Sequence, residues 1–134
     1  MDKKLLDAEW TILRAMWDKP PQTMREIIAA VQEENGDDIA WHYKTYHSYL
    51  RIMLEKGLIA CEDKNLRDKL YRPLITREDA LRSESETLLS RISTASMGAL
   101  VAAMAQSAPL SDADRQALME MARRLEQAKD GERP

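Results

Sequence analysis

Two adjacent prolines, Pro20-Pro21, set the strongest constraint on how this chain folds. Leu6, Trp10, Leu13 and Trp17 recur at spacings of four, three and four, which places them on one helical face. Asp7 is the expected cap of that helix. Lys19-Pro20-Pro21 must end it, because proline lacks the amide proton and disfavours helix at the residue before it. A second helix starts almost at once. Thr23-Met24-Arg25-Glu26 is a capping box, in which Thr23 and Glu26 satisfy each other's orphan amides. Met24, Ile27, Ile28 and Val31 form its apolar face. Asn35-Gly36-Asp37-Asp38 closes it, with a glycine suited to the left-handed position after a helix. The prolines therefore force two short helices to meet at a fixed corner.

A third helix is expected over residues 43–56. Its wheel puts Tyr46, Leu50, Met53, Leu54 and Gly57 on one side. Lys44, Thr45, Ser48, Arg51, Ile52 and Glu55 fall on the other, with His47 at the boundary. A ribbon should follow, with residues 58–64 and 69–74 flanking the turn-capable Asn65-Leu66-Arg67-Asp68. Tyr71 and Leu74 are its expected apolar contacts, and Pro73 suits an edge. Three short helices and a hairpin are the element order of a mainly α winged helix-turn-helix with a two- or three-stranded wing. In that architecture the third helix enters the major groove and the hairpin lies along the backbone.

Beyond residue 75 the chain reads as three more helices. One begins at a Thr76 cap and uses Leu81, Leu88, Leu89 and Ile92. The next uses Met97, Leu100, Val101, Met104 and Ala105. After Pro109, Ser111 caps the last, which uses Leu118, Met121, Ala122 and Leu125. These residues are too few and too thinly apolar for an independent core. Their faces need a partner, either the N-terminal domain or a second copy of the chain, and the second copy is the favoured reading. The expected organisation is a winged helix over 1–75, a helical dimerisation module over 76–130 and a flexible tail over 131–134. Leu88, Leu89, Ile92, Leu100, Val101, Leu118, Met121 and Leu125 are the candidate dimer residues.

Charge separates the regions. The chain of 134 residues carries a net charge of −3, yet residues 39–75 are locally basic through Lys44, Arg51, Lys56, Lys64, Arg67, Lys69 and Arg72. Residues 1–38 are acidic. A basic middle in an acidic chain fits a small polyanion-binding surface. Lys44, Thr45, His47, Ser48 and Arg51 are the candidates for base edges and phosphates on the third helix. Lys64, Arg67 and Lys69 are those on the wing, with Arg72 beside them, and phosphate contacts there supply affinity without sequence information. The competing reading keeps the winged helix but makes it a protein-interaction adaptor that does not bind DNA.

Other chemistries find little support. No run approaches the ~20 apolar residues of a membrane span, and the first residues do not resemble a signal peptide, so the expected location is the cytoplasm. Phosphate-loop, dinucleotide, zinc-protease and nucleophile-elbow motifs do not occur. His42 and His47 are five apart, which does not bring two ligands to one helical face. The single cysteine, Cys61, reads as a small apolar strand residue. No serine or cysteine stands in a catalytic set with histidine. No enzyme activity, metal or cofactor is expected.

Leu6-Asp7-Ala8-Glu9-Trp10 with Trp17 resembles the opening of the BlaI/MecI/CopY family of penicillinase-type repressors. Tyr43-Lys44-Thr45-Tyr46-His47-Ser48-Tyr49-Leu50, followed by Leu54-Glu55-Lys56-Gly57-Leu58-Ile59, resembles that family's recognition helix and its entry to the wing. Tyr71-Arg72-Pro73-Leu74 resembles the return strand. Ser96-Met97-Gly98-Ala99-Leu100-Val101 and Leu110-Ser111 resemble parts of the C-terminal half. The resemblance implies a cytoplasmic homodimeric repressor. Its winged helix would bind an inverted-repeat operator near antibiotic-resistance or stress genes, and its C-terminal helices would dimerise. It also implies derepression by proteolysis near Ala103-Met104, triggered by a membrane sensor with a metalloprotease domain. The family's second-half recognition-helix arginine falls at Ile52 here, with Arg51 beside it. The usual Asn-Phe cleavage pair is not present at Ala103-Met104. The C-terminal cysteine cluster of the copper-responsive branch is missing as well.

Overall fold

The computed structural model describes residues 5–63, 69–93 and 96–131. Its elements run α1 (Asp7–Met16), α2 (Met24–Asn35), a 3-10 turn (Gly36–Asp38), α3 (Tyr43–Glu55), β1 (Ile59–Asp63), β2 (Lys69–Pro73), α4 (Arg77–Arg91), α5 (Met97–Ser107) and α6 (Asp112–Gly131). The chain divides into two compact units, Met1–Glu84 and Ser85–Pro134. The first has the element order of a winged helix. β1 and β2 pair antiparallel with Cys61 opposite Tyr71. Gln22 adds a one-residue third strand, exchanging two backbone hydrogen bonds with Tyr71 at 3.0 and 2.7 Å.

The first unit encloses its own core. Ile12, Leu13 and Met16 from α1, Ile27 and Val31 from α2, and Tyr46, Leu50 and Met53 from α3 are all buried. Leu58, Ile59 and Tyr71 close it from the ribbon. α2 starts as the capping box requires. Thr23 N–H donates to Glu26 Oε1 at 3.0 Å, and Glu26 N–H donates to Thr23 Oγ1 at 3.2 Å. α3 ends in a Schellman motif: Leu58 N–H reaches the Met53 carbonyl at 2.9 Å, and Gly57 N–H reaches that of Leu54 at 3.1 Å. Gly57 has φ +75°, a conformation that glycine adopts without a Cβ penalty. It turns the chain directly from the third helix into β1.

Several packing expectations need correction. The α1 stripe holds at Leu13 and Trp17, which are buried, and at Trp10, which is half-buried against the core; Leu6 is exposed, and Ile12 and Met16 join the buried face. The residue before α1 is Leu6, and its N–H is satisfied by Glu9 Oε1 at 2.8 Å rather than by an Asp7 cap. Leu54 and Leu74 are exposed instead of packed. Glu9 itself is 0% exposed, and Lys56 Nζ lies 2.7 and 2.9 Å from its two carboxylate oxygens. A carboxylate buried this deeply needs such partners, because an unpaired buried charge is strongly destabilising.

The second unit is built differently. α5 and α6 pack against each other through small residues, with Gly98, Ala105 and Ala122 buried. A Cβ placed on Gly98 would lie 3.1 Å from the Ala122 carbonyl oxygen and 2.8 Å from Glu126 Oε1. The absence of a side chain is what lets the helices approach there. Arg115 donates to the carbonyls of Ala105 and Leu110, fastening the connection between α5 and α6. Ser111 caps α6 through Asp114 N–H at 3.1 Å, and Thr76 caps α4 through Asp79 N–H at 3.0 Å.

Candidate nucleic-acid interface

α3 is amphipathic in a way that separates anchoring from reading. Tyr46, Leu50 and Met53 are buried, while Lys44, His47, Ser48 and Arg51 are exposed. These four residues and Tyr43 line one surface concavity of about 260 Å³. Thr45, the fifth candidate on this helix, is half-buried and does not line it. The start of the helix is held by His42, whose Nδ1 accepts from Lys44 N–H at 3.2 Å. Trp41 braces the same end, with its ring 5.2 Å from those of Tyr46 and Tyr49. One rigid helix thus projects two cations, an imidazole and a hydroxyl on consecutive turns. These are the groups that donate to base edges and phosphates.

The wing is described on its two strands. Lys69 is exposed opposite Asp63. Arg72 is paired with Glu62 at 3.5 Å across the ladder, both side chains about half exposed. That carboxylate offsets part of the charge Arg72 would offer a phosphate. Lys64 and Arg67, the other two wing candidates, lie outside the described residues. Cys61 packs on the strand opposite Tyr71. Burial, and then the Asp63 carboxylate, push its thiol above the ordinary value, so it remains a neutral packed group. Tyr71 is likewise pushed up, chiefly by burial.

Sequence reasoning missed two participants here. Tyr43 is 59% exposed and shares the concavity with Lys44 and Arg51. Its signal was its place as the first residue of α3, where an aromatic has no core to enter. The Glu9–Lys56 pair joins residues 47 positions apart, a separation that periodicity does not register.

The candidate dimer residues form a second group. Leu88, Leu89 and Met121 are exposed, and Ile92, Leu100, Val101, Leu118 and Leu125 are half-buried within their own unit. Ala103 and Met104 are exposed on α5. No group of three histidine, cysteine or acidic side chains that could hold a metal occurs among the described residues. No described helix is long and apolar enough to cross a membrane.

A winged helix with its third helix bare, followed by a helical appendage, defines a class of DNA-binding regulator. The chain belongs to the penicillinase repressor family, whose model matches residues 5–124. That is a family of DNA-binding transcriptional repressors and not of enzymes, so transcription regulation is its class of activity. Among curated proteins, none matches the chain.

Proposed function

We propose that two copies of the chain form a dimer that binds an inverted-repeat operator and represses the genes beside it in the cytoplasm. The observation that carries this reading is the division of α3 into a buried anchoring face and an exposed donor face. α3 supplies Lys44, Thr45, His47, Ser48 and Arg51 to the major groove, and Lys64, Arg67 and Lys69 of the wing contact phosphates. A single winged helix reads few base pairs. Two copies held together read a palindrome, with the second half-site bound at high effective concentration. The exposed Leu88, Leu89 and Met121 and the half-buried Ile92, Leu100, Val101, Leu118 and Leu125 support a dimer contact in the 76–130 module. A membrane sensor metalloprotease is the partner suited to relieve repression. Ala103-Met104 lies in the middle of α5, so cleavage there requires that helix to open locally, and it divides the dimer residues into two incomplete sets.

The test selects duplexes from a random pool with the full chain and measures affinity for the selected site across salt, with mass in solution. The expected result is an inverted repeat, affinity falling steeply with salt as counterions leave, and a mass twice the 15.4 kDa of the chain. Truncation after Ala103 should leave a monomer with weakened operator binding. A chain that binds no duplex is an adaptor, and a truncated chain that dimerises and binds at full strength removes both the dimer and the cleavage readings.

A further inference from the structure

We infer that Glu9 and Lys56 are positioning residues for sequence-specific DNA reading: their buried ion pair sets the tilt of α3 against α1. The inference rests on the operator-binding reading above. Lys56 is the residue that ends α3, and Glu9 lies in the first turn of α1. The pair therefore bridges the carbonyl end of one helix and the amide end of another. An ammonium is favoured at the first of these ends and a carboxylate at the second. The Glu9 carboxylate is fully occupied in doing this, since Oε1 accepts from Leu6 N–H at 2.8 Å as well as from Lys56 at 2.7 Å, and Oε2 accepts from Lys56 at 2.9 Å. With Glu9 0% exposed and the Lys56 side chain 31% exposed, the carboxylate is shielded from water while the lysine stem reaches it from the surface.

Nonpolar packing at Tyr46, Leu50 and Met53 fixes the middle of α3 in the core, and the contact with Glu9 lies beyond it, at the C-terminal end of the helix. The ion pair adds a tether at one end: Glu9 is buried and has no water to replace Lys56, so loss of the ammonium leaves the carboxylate seeking another partner and lets that end of α3 shift. The reading residues Lys44, His47, Ser48 and Arg51 begin at the opposite end of α3 from Lys56. A helix of this length is roughly 20 Å long, so a tilt of about 10° pivoting near its C-terminal end moves the far end by roughly 3 Å. Hydrogen bonds to base edges do not survive such a displacement. Phosphate contacts by long, mobile cations largely do. Loss of the pair should therefore reduce discrimination and spare general DNA affinity.

The test compares the full chain with Lys56→Met, Lys56→Arg and the double change Glu9→Gln with Lys56→Met. Affinity is measured on a duplex selected by the unchanged chain and on a scrambled duplex, beside thermal unfolding and amide hydrogen exchange along α3. Lys56→Met should lower the operator-to-scrambled ratio roughly tenfold to hundredfold, the loss of one or two base contacts, while Lys56→Arg largely retains it. The double change removes both charges and can recover thermal stability, yet its ratio should stay low and its exchange over Tyr43–Leu50 should rise. A double variant that recovers stability and the full ratio together makes the pair a stability element and overturns the inference. If the unchanged chain binds all duplexes alike, the operator reading falls instead. Exchange then decides for the pair, and unaltered protection of α3 in the double variant overturns it.

Discussion

The two compact units place their large apolar residues in opposite positions. In the winged helix, Tyr46, Leu50, Met53 and Ile12 are inside, and the exposed face of α3 carries Lys44, His47, Ser48 and Arg51 beside Tyr43. In the second unit the seam between α5 and α6 is lined by Gly98, Ala105 and Ala122, while Met104 and Met121 are 51% exposed and Leu89 47%. The first arrangement is a core that needs nothing from outside the unit. The second brings two helices close together at small residues and leaves the bulky side chains looking outward. Apolar burial contributes roughly 25 cal/mol per Å², and Leu88, Leu89, Met104 and Met121 leave part of that contribution unrealised in the second unit. One region closes a core of large side chains, and the other closes a seam of small ones.

The largest effect that would sharpen this contrast is expected in the sealed core. Leu50→Ala should destabilise the first unit by about 2–5 kcal/mol, the usual cost of emptying a fully buried leucine site. Denaturant unfolding followed by Trp10 and Trp17 fluorescence measures it. A loss within surface-substitution range would mean the core is not sealed. Next comes the seam: Gly98→Val should destabilise the second unit by about 1–3 kcal/mol, because the added carbons meet a backbone carbonyl and not just a movable side chain. Unfolding read by far-UV circular dichroism should show it, and an unchanged transition would refute close packing at Gly98. A smaller change of opposite sign is expected at Tyr46, whose hydroxyl is buried with no hydrogen-bond partner among the described residues. Burial pushes that phenol above its ordinary value. Tyr46→Phe should be neutral or stabilising by up to about 1–2 kcal/mol, since it removes an unsatisfied polar group. A clear loss of stability would show that the hydroxyl has a partner.

The smallest effect concerns pH. The Glu26 carboxyl is held below its ordinary value of 4.5, first by the Thr23 backbone N–H and then by the Thr23 hydroxyl. A carboxylate lowered on folding contributes fully above its unfolded value. That contribution is lost as pH falls through the lowered one. Melting curves of the unchanged chain and of Glu26→Gln should therefore converge as pH drops below 4.5. Curves that stay parallel through that range would exclude Glu26 as the group responsible.

Local chemistry was the legible part of this molecule. The Thr23–Glu26 box, the Pro20-Pro21 break, the Thr76 and Ser111 caps, and the buried set Tyr46, Leu50 and Met53 all depend on neighbours within a turn or two, and residue spacing reports those. What spacing did not report was how each helix turns about its axis once packed. In α1 the predicted stripe is right at Leu13 and Trp17 and incomplete: the core also takes Ile12 and Met16, Trp10 is half-buried against it, Leu6 is exposed, and Glu9 is buried with Lys56 as its partner. A charged residue is normally assigned to solvent, so only its distant partner makes its burial intelligible. Leu54 and Leu74 are exposed although each adjoins a residue packed in or against the core, buried Met53 beside the first and half-buried Ile75 beside the second, a distinction of one residue that an apolar pattern does not resolve. Among the candidate site residues, the donor face of α3 followed from the wheel. The ion pair between Arg72 and Glu62 did not, because it depends on strand register.

The one-residue strand at Gln22 has a further consequence, for association between molecules. β2 presents an edge that could template pairing with another chain, the usual origin of aggregation in small sheets. Gln22 occupies it through both of its backbone groups. Pro21 on one side has no amide proton to extend the ladder, and Thr23 on the other is committed to starting α2. The added strand therefore cannot grow, and the edge it covers is closed to a neighbour's strand. The proline that sits before Gln22 thus also limits how far this short strand can lengthen along β2.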